Sequence, residues 1–232
     1  MGAVVTTPTA ALGGVLPAAV VVAARTDDDP DAVLAPEEER AVAKAVATRR
    51  AEFTTGRVCA RDALTRLGAS APAVPVGEQR APVWPDGVVG AITHCAGFRA
   101  AAVAWRDQVR AVGLDAEPHK ALPDGVLEAV SDAGERALLE RLARERPDVR
   151  WDKILFSAKE SVYKAWFPLT GRWLGFEEAE LAPAPDGTFR AALRVPGPVV
   201  DGAEITAFGG RWAVRDGLVI TAVTLAAAQG SS

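Results

Sequence analysis

Two short stretches bring together residues that can work on a phosphate. In "VGLDAEPHK", Asp115 and Glu117 stand two apart, so on an extended segment both carboxylates project from one face. A hard cation such as Mg²⁺ takes one or two such oxygens and completes its shell with water and substrate phosphates. In "FSAKESVYK", Lys159, Glu160 and Lys164 crowd into a bulky apolar stretch. On a wheel of 100° per residue, Trp151, Ile154, Leu155, Ala158, Val162, Ala165 and Trp166 make an apolar stripe. Lys153, Ser157, Glu160 and Lys164 fall within about 60° of one another on a second face. Each pattern alone has an ordinary reading. A D-x-E closes many polar strand ends, and Glu160 with Lys164 reads as an i,i+4 surface pair of a few tenths of a kcal/mol.

Two further groups carry weaker signals. In "AITHC" a histidine follows a strand, where it can donate to a phosphate oxygen or to a core carbonyl. Neighbours on a strand face opposite ways, so His94 is not placed to serve Cys95 as a base, and a thiol nucleophile is set aside. The stretch "TRRAEFTTGRVCAR" holds Arg49, Arg50, Arg57 and Arg61; on one helix, Arg50, Arg57 and Arg61 share a stripe that either binds phosphate or is solvated.

The elements that must position these residues follow from pattern. "ALGGVLPAAVVVAART" has no lysine or arginine ahead of its apolar run, contains Pro17, and is too short to span a bilayer, so it reads as a buried strand rather than a signal. A helix starts at "APEEERAVAKAV", with proline and glutamates at the positive end of its dipole, and runs to Gly68, with "TTG" at 54–56 as a possible division. A loop rich in proline fills 69–87, followed by strands in "VVGAITHC", "FRAAAVAW" and "VRAVGLDAE". Residues 123–148 are helical, and the helix from Trp151 is expected to end at Pro168. The remaining chain alternates as an antiparallel sheet does.

The 232 residues carry a net charge of -4, which argues against general nucleic-acid binding, and no stretch is long and apolar enough to span a membrane. Two cysteines, with no C-x-x-C, exclude a disulfide scaffold or structural zinc and fit a reduced cytoplasmic setting.

Order and spacing say more than any single motif. "VGLDAE" followed about 40 residues later by "FSAKESVYK" resembles the paired signature of Sfp-type 4'-phosphopantetheinyl transferases, in their high-GC bacterial branch. "GRVCARDALTRLG", "APVWPDG" and the "ITH" before Cys95 extend the resemblance over roughly residues 40 to 225. It implies an α+β fold of two similar lobes forming a pseudo-dimer within one chain, each with a small antiparallel sheet and a long helix. Lobe one, residues 1–112, would bind the nucleotide, and lobe two, residues 113–232, would carry the metal site and catalytic helix. The implied reaction moves the phosphopantetheine arm of coenzyme A to a serine of an apo acyl, polyketide or peptidyl carrier protein and releases adenosine 3',5'-bisphosphate. Mg²⁺, or Mn²⁺, would be held by Asp115, Glu117 and Glu160. Glu160, or a water on the metal, would act as base and Lys164 as acid; Thr93, His94, Arg49, Arg57 and Lys159 would contact the coenzyme's phosphates. A cytoplasmic monomer is expected. Two positions depart from the family pattern: Ala91 stands where a serine is common, and Val76 where a basic residue is common, with Arg80 as a candidate replacement. The alternatives are another Mg²⁺-dependent phosphate enzyme using the same carboxylates, and a non-catalytic binding module, which would be expected to have lost one of Asp115, Glu117, Glu160 or Lys164.

Overall fold

A computed structural model describes residues 8–70 and 73–228. Three antiparallel strands make the first sheet, in the order β1 (Val21–Arg25), β3 (Phe98–Trp105), β2 (Val88–Cys95). The apolar run that imitates a targeting signal thus ends in β1, which pairs with β3 from Val21 opposite Val103 to Arg25 opposite Arg99.

Period-two alternation decides what each face of β3 meets. Ala101 and Val103 pack with Cys59, Ala60, Ala63 and Leu64 of helix α2 (Ala47–Leu67). Ala100, Ala102 and Ala104 turn the other way, into a cluster shared with the second sheet. Both faces are covered, which is why the strand reads as an unbroken run of small apolar residues.

The helix start at Pro36 forms as expected, but the division falls elsewhere. Helix α1 (Pro36–Glu39) runs into a 3₁₀ turn at Arg40–Val42, and α2 begins only at Ala47. Thr54, Thr55 and Gly56 lie inside α2. Thr54 satisfies its hydroxyl on the Arg50 carbonyl at 2.8 Å, and at Gly56 a Cβ would meet Ile92 at 3.3 Å, so the missing side chain lets α2 lie close on β2. Gly68 closes α2 in the left-handed conformation, φ 83°.

The chain crosses to the second sheet between Trp105 and β4 (Val109–Pro118), just ahead of the 112/113 boundary expected from sequence. After β4 come helices α3 (Val126–Val130), α4 (Ala133–Glu145) and α5 (Trp151–Thr170). Strands β5 (Ala179–Pro183) and β6 (Thr188–Leu193) follow, then the small hairpin β7 (Val199–Val200) and β8 (Ala203–Glu204), and finally β9 (Ala207–Arg215) and β10 (Leu218–Ala226). The five-stranded sheet runs β4-β10-β9-β6-β5, antiparallel throughout. It receives the apolar stripe of α5, with Ile154, Leu155, Ala158, Val162, Ala165 and Trp166 packed in one core with Leu181, Val219 and Val223.

Pro168 does not end α5. The helix continues to Thr170 and stops at Gly171, φ 64°. The missing proline N–H leaves the Lys164 carbonyl without its i+4 donor, and only two helical residues follow. The result is a mixed α and antiparallel β protein in which each of the two larger sheets carries one long helix.

Candidate active site

Helix α5 lies hard against β4. A Cβ on Gly113 would fall 1.8 Å from the Ser161 carbonyl oxygen, so only glycine permits this approach. Along β4, Val112, Leu114 and Ala116 enter the core between the sheets. The alternate positions Gly113, Asp115 and Glu117 therefore face α5, as their two-residue spacing requires.

The polar face of α5 meets them residue by residue. Lys153 Nζ donates to Glu117 at 3.3 Å, Ser157 Oγ to Asp115 Oδ2 at 2.8 Å, and Lys164 Nζ to Asp115 Oδ1 at 2.8 Å and the Leu114 carbonyl at 3.0 Å. Lys164 thus pairs with Asp115, not with Glu160 one turn away. Thr93 of β2 closes the group: its hydroxyl lies 3.3 Å from Asp115 Oδ1 and accepts from Ala116 N at 3.0 Å, tying the first sheet to the second. Behind Ser157, the fully buried Thr221 donates to the Ser157 carbonyl at 2.8 Å.

Glu160 is half-buried and forms no ion pair among the described residues. Burial first, and Asp115 second, push its carboxyl pKa upward. Glu117 is raised in the same order, by burial and then Asp115. The three carboxylates therefore repel one another across this face, the condition that a bound cation relieves. No three acidic, histidine or cysteine side chains among the described residues are gathered as a ligand set; Lys164 pairs with Asp115 and Lys153 with Glu117.

Beyond these residues a cavity of about 590 Å³ opens between the lobes. Asp115, Glu160, Tyr163 and Lys164 form one wall; Arg49, Glu52, Phe53 and Arg57 of α2, with Thr93 and His94 of β2, form the other. Arg57 is almost fully buried, stacks on Phe53 at 4.3 Å, and has an Nε without any hydrogen-bond partner. Burial lowers its pKa to about 10, still charged at neutral pH. Arg49 contacts the His94 ring and lies 3.6 Å from Glu52. Burial and then Arg49 hold His94 down to about 4, so it is a neutral imidazole at physiological pH. The other two arginines of the sequence cluster face elsewhere: Arg50 pairs with Glu39, and Arg61 with the fully buried Glu38.

Lys159 corrects an expectation. It faces away from the cavity, and its ammonium is committed to Glu135 at 2.8 Å and to the Phe176 and Ala179 carbonyls at 2.6 and 3.1 Å. Glu135 also caps α4 by accepting from Asp132 N at 2.9 Å. The motif lysine is a fold anchor. Burial pushes the Cys95 thiol up to about 12, which disfavours the thiolate that a nucleophile needs.

The site also takes in three side chains that the motifs do not single out: Ser157 on Asp115, and, in the cavity wall, Glu52 one turn after Arg49 and Tyr163 one turn after Glu160, spacings that signal a shared helix face.

Two family models divide the chain at the same seam as the sheets. The 4'-phosphopantetheinyl transferase N-terminal domain matches residues 37–104, and the 4'-phosphopantetheinyl transferase superfamily matches residues 111–215. The chain is 57% identical over 204 residues to the 4'-phosphopantetheinyl transferase Svp of Streptomyces mobaraensis, covering 88% of this chain and 83% of that one. The chain belongs to the 4'-phosphopantetheinyl transferases. It is 49% identical to the transferase PptT of Mycobacterium tuberculosis, over 82% of this chain and 85% of that one. It is 46% identical to the transferase Npt of Nocardia iowensis, over 91% and 98%. The enzyme is thus a transferase of the 4'-phosphopantetheine group to carrier proteins, with coenzyme A as the family's substrate. Among the transferase's described residues, no helix is long and apolar enough to cross a membrane.

Proposed function

We propose that coenzyme A lies in the cavity between the lobes, its nucleotide end on residues 1–112 and its pyrophosphate against residues 113–232, which carry the metal site and the catalytic helix. One observation carries this reading. The cavity sets an acidic wall, Asp115 and Glu160 with Lys164, opposite a basic wall, Arg49 and Arg57 beside the neutral His94. A ligand with phosphates at two separate points fits such a pair of walls.

Arg57 offers a buried guanidinium whose Nε lacks a partner, and Arg49 a second cation, to the 3'-phosphate. Neutral His94 presents a ring N–H to a phosphate oxygen, and Thr93 holds Asp115 in place from the opposite sheet. Asp115, Glu117 and Glu160 are the residues that would hold Mg²⁺ or Mn²⁺, and their mutual repulsion fits that duty. Such a cation, when bound, neutralises charge on the pyrophosphate.

In the transfer, the carrier serine oxygen bonds to the phosphorus that bears pantetheine, and the anhydride P–O bond breaks to release adenosine 3',5'-bisphosphate. Glu160, half-buried on the wall of the cavity, takes the serine proton. Lys164 supplies a proton and positive charge to the departing phosphate oxygen. We further read the enzyme as a monomer, because the two lobes already share the core that a pair of subunits would otherwise build, and as cytoplasmic, because Cys59 and Cys95 are both free thiols. The partners are acyl, polyketide or peptidyl carrier proteins.

The test incubates the purified protein with coenzyme A, Mg²⁺ and a panel of apo carrier proteins, and records intact masses with and without EDTA. The expected result is a metal-dependent gain of one phosphopantetheine on the carrier serine, abolished in Glu160→Gln. A gain undiminished by EDTA removes the metal assignment, and an undiminished gain in Glu160→Gln removes the base.

A further inference from the structure

Strand β10 departs from its own pattern at one buried position. Val219 and Val223 join the core beneath α5, while Ile220 and Ala222 enter the cluster between the sheets. Thr221 stands between the two valines on the α5 side, fully buried, where alternation alone asks for a third valine. Threonine and valine have nearly the same shape and differ in a hydroxyl, which costs free energy to bury unless it is bonded.

The Thr221 hydroxyl is directed at Ser157. Its Oγ1 lies 2.8 Å from the Ser157 carbonyl and 2.9 Å from Ser157 Oγ, with Ser161 Oγ at 3.2 Å. The carbonyl sits inside α5, where the helix supplies its own donor, so it does not depend on Thr221. Ser157 has a single hydroxyl proton, which it donates to Asp115 Oδ2 at 2.8 Å. In the 2.9 Å contact Thr221 is therefore the donor, its proton shared between the two oxygens of Ser157. The chain of hydrogen bonds runs from Thr221 through Ser157 to the carboxylate. Thr221 is also the residue paired with Asp115 across β10 and β4, so the three groups meet at one point of the sheet. Asp115 Oδ1 has both Lys164 and Thr93, whereas Oδ2 has Ser157 alone among the described residues.

We propose that Thr221 is a positioning residue for the metal site. Its hydroxyl holds the Ser157 hydroxyl in the orientation that donates to Asp115 Oδ2, and this fixes the rotation of the carboxylate that a divalent cation would meet. Without it, Ser157 is free to turn its proton elsewhere, and Asp115 is held through Oδ1 only. The proposal rests on the reading of Asp115 as a metal ligand.

The test compares the full-length wild type with Thr221→Val, Thr221→Ser and Asp115→Asn. Free Mn²⁺ is read by electron paramagnetic resonance in titrations with coenzyme A present, against coenzyme A without protein, and thermal unfolding is recorded for each chain. Thr221→Val should weaken Mn²⁺ binding roughly tenfold, the lower end of the range for removing a partner behind a metal ligand, because Ser157 itself remains. It should unfold no lower than wild type, since valine fits the row and leaves no buried donor unpaired. Thr221→Ser should do the reverse, keeping wild-type Mn²⁺ affinity while unfolding at a lower temperature for want of a buried methyl. A merely structural residue would lose affinity and stability together. Wild-type affinity in Thr221→Val, an equal loss in Thr221→Ser, or a fall in unfolding temperature that accompanies the loss in Thr221→Val would each overturn the proposal. A wild-type chain that binds no Mn²⁺, or Asp115→Asn binding it as tightly as wild type, would overturn the reading of Asp115 and the proposal with it.

Discussion

Lys164 reaches across to β4 and donates to Asp115 Oδ1 at 2.8 Å, although Glu160 lies one turn away on its own helix. The pair joins α5 to the strand that carries Asp115 and Glu117. Lys164→Ala should lower kcat by roughly 10²–10⁴-fold, the range for removing a positioned acid, with the fold kept because Ser157 and Thr93 still hold Asp115. Asp115→Ala should also destabilise the protein, by roughly 3 kcal/mol, because it strips a buried partner from Lys164 and Ser157. Steady-state kinetics and urea unfolding read the two effects separately. A Lys164→Ala variant with wild-type kcat would remove Lys164 from the chemistry.

Lys159 should behave in the opposite way. Its pair with Glu135 is among the most buried in the chain, with side-chain exposures of 4% and 2%, so breaking it leaves an unpaired charge inside. Lys159→Met should cost about 3–5 kcal/mol in urea unfolding, while kcat/KM of the folded protein at low temperature stays near wild type. Adding Glu135→Gln to the same chain should recover part of the loss. A large fall in kcat/KM with unchanged stability would return Lys159 to the phosphates.

These two lysines show where sequence reasoning reaches and where it stops. Periodicity placed Asp115 and Glu117 on one face of a strand and put Lys153, Ser157, Glu160 and Lys164 on one face of a helix, because both are properties of a single element. It could not say which partner each lysine takes. Lys159 finds Glu135 from 24 residues away, and Lys164 finds Asp115 from 49 away. Such choices are made when elements pack, and the local i,i+4 alternative loses to a buried partner. The helix break expected at 54–56 falls before Ala47 for a related reason: Thr54 and Gly56 are weak helix formers, but Thr54 bonds to the Arg50 carbonyl and Gly56 gives α2 the room to pack on Ile92.

Gly113 should prove as necessary as the acid two residues beyond it. A methyl group there would meet the Ser161 backbone at 1.8 Å, and a helix backbone cannot yield as a flexible side chain can. Gly113→Ala should therefore push α5 away from β4, cost at least about 3 kcal/mol, and separate Lys164 and Ser157 from Asp115, so that activity falls with stability. Thermal unfolding together with the carrier-loading assay tests this. Wild-type values in both would show that the two elements do not pack this closely.

His94 supplies a pH dependence whose sign can be worked out. Its folded pKa lies near 4, below the 6.5 of an unperturbed histidine, because burial and the neighbouring Arg49 both oppose a second ring proton. Between those values the unfolded chain binds more protons at this residue than the folded one, so stability rises with pH there. The contribution is complete above pH 6.5 and is lost as pH falls toward 4. Replacing His94 with Gln should flatten that part of the stability profile. The chain's only other histidine is His119, so two ring signals suffice to follow the titration by NMR. A coenzyme phosphate placed against the ring would favour its charged form, so adding coenzyme A should move the His94 midpoint upward and draw protons from solution between about pH 4 and 6.5. A midpoint near 6.5 in the free protein would show that the ring is not buried as described, and a low midpoint that coenzyme A leaves in place would move the phosphates away from His94.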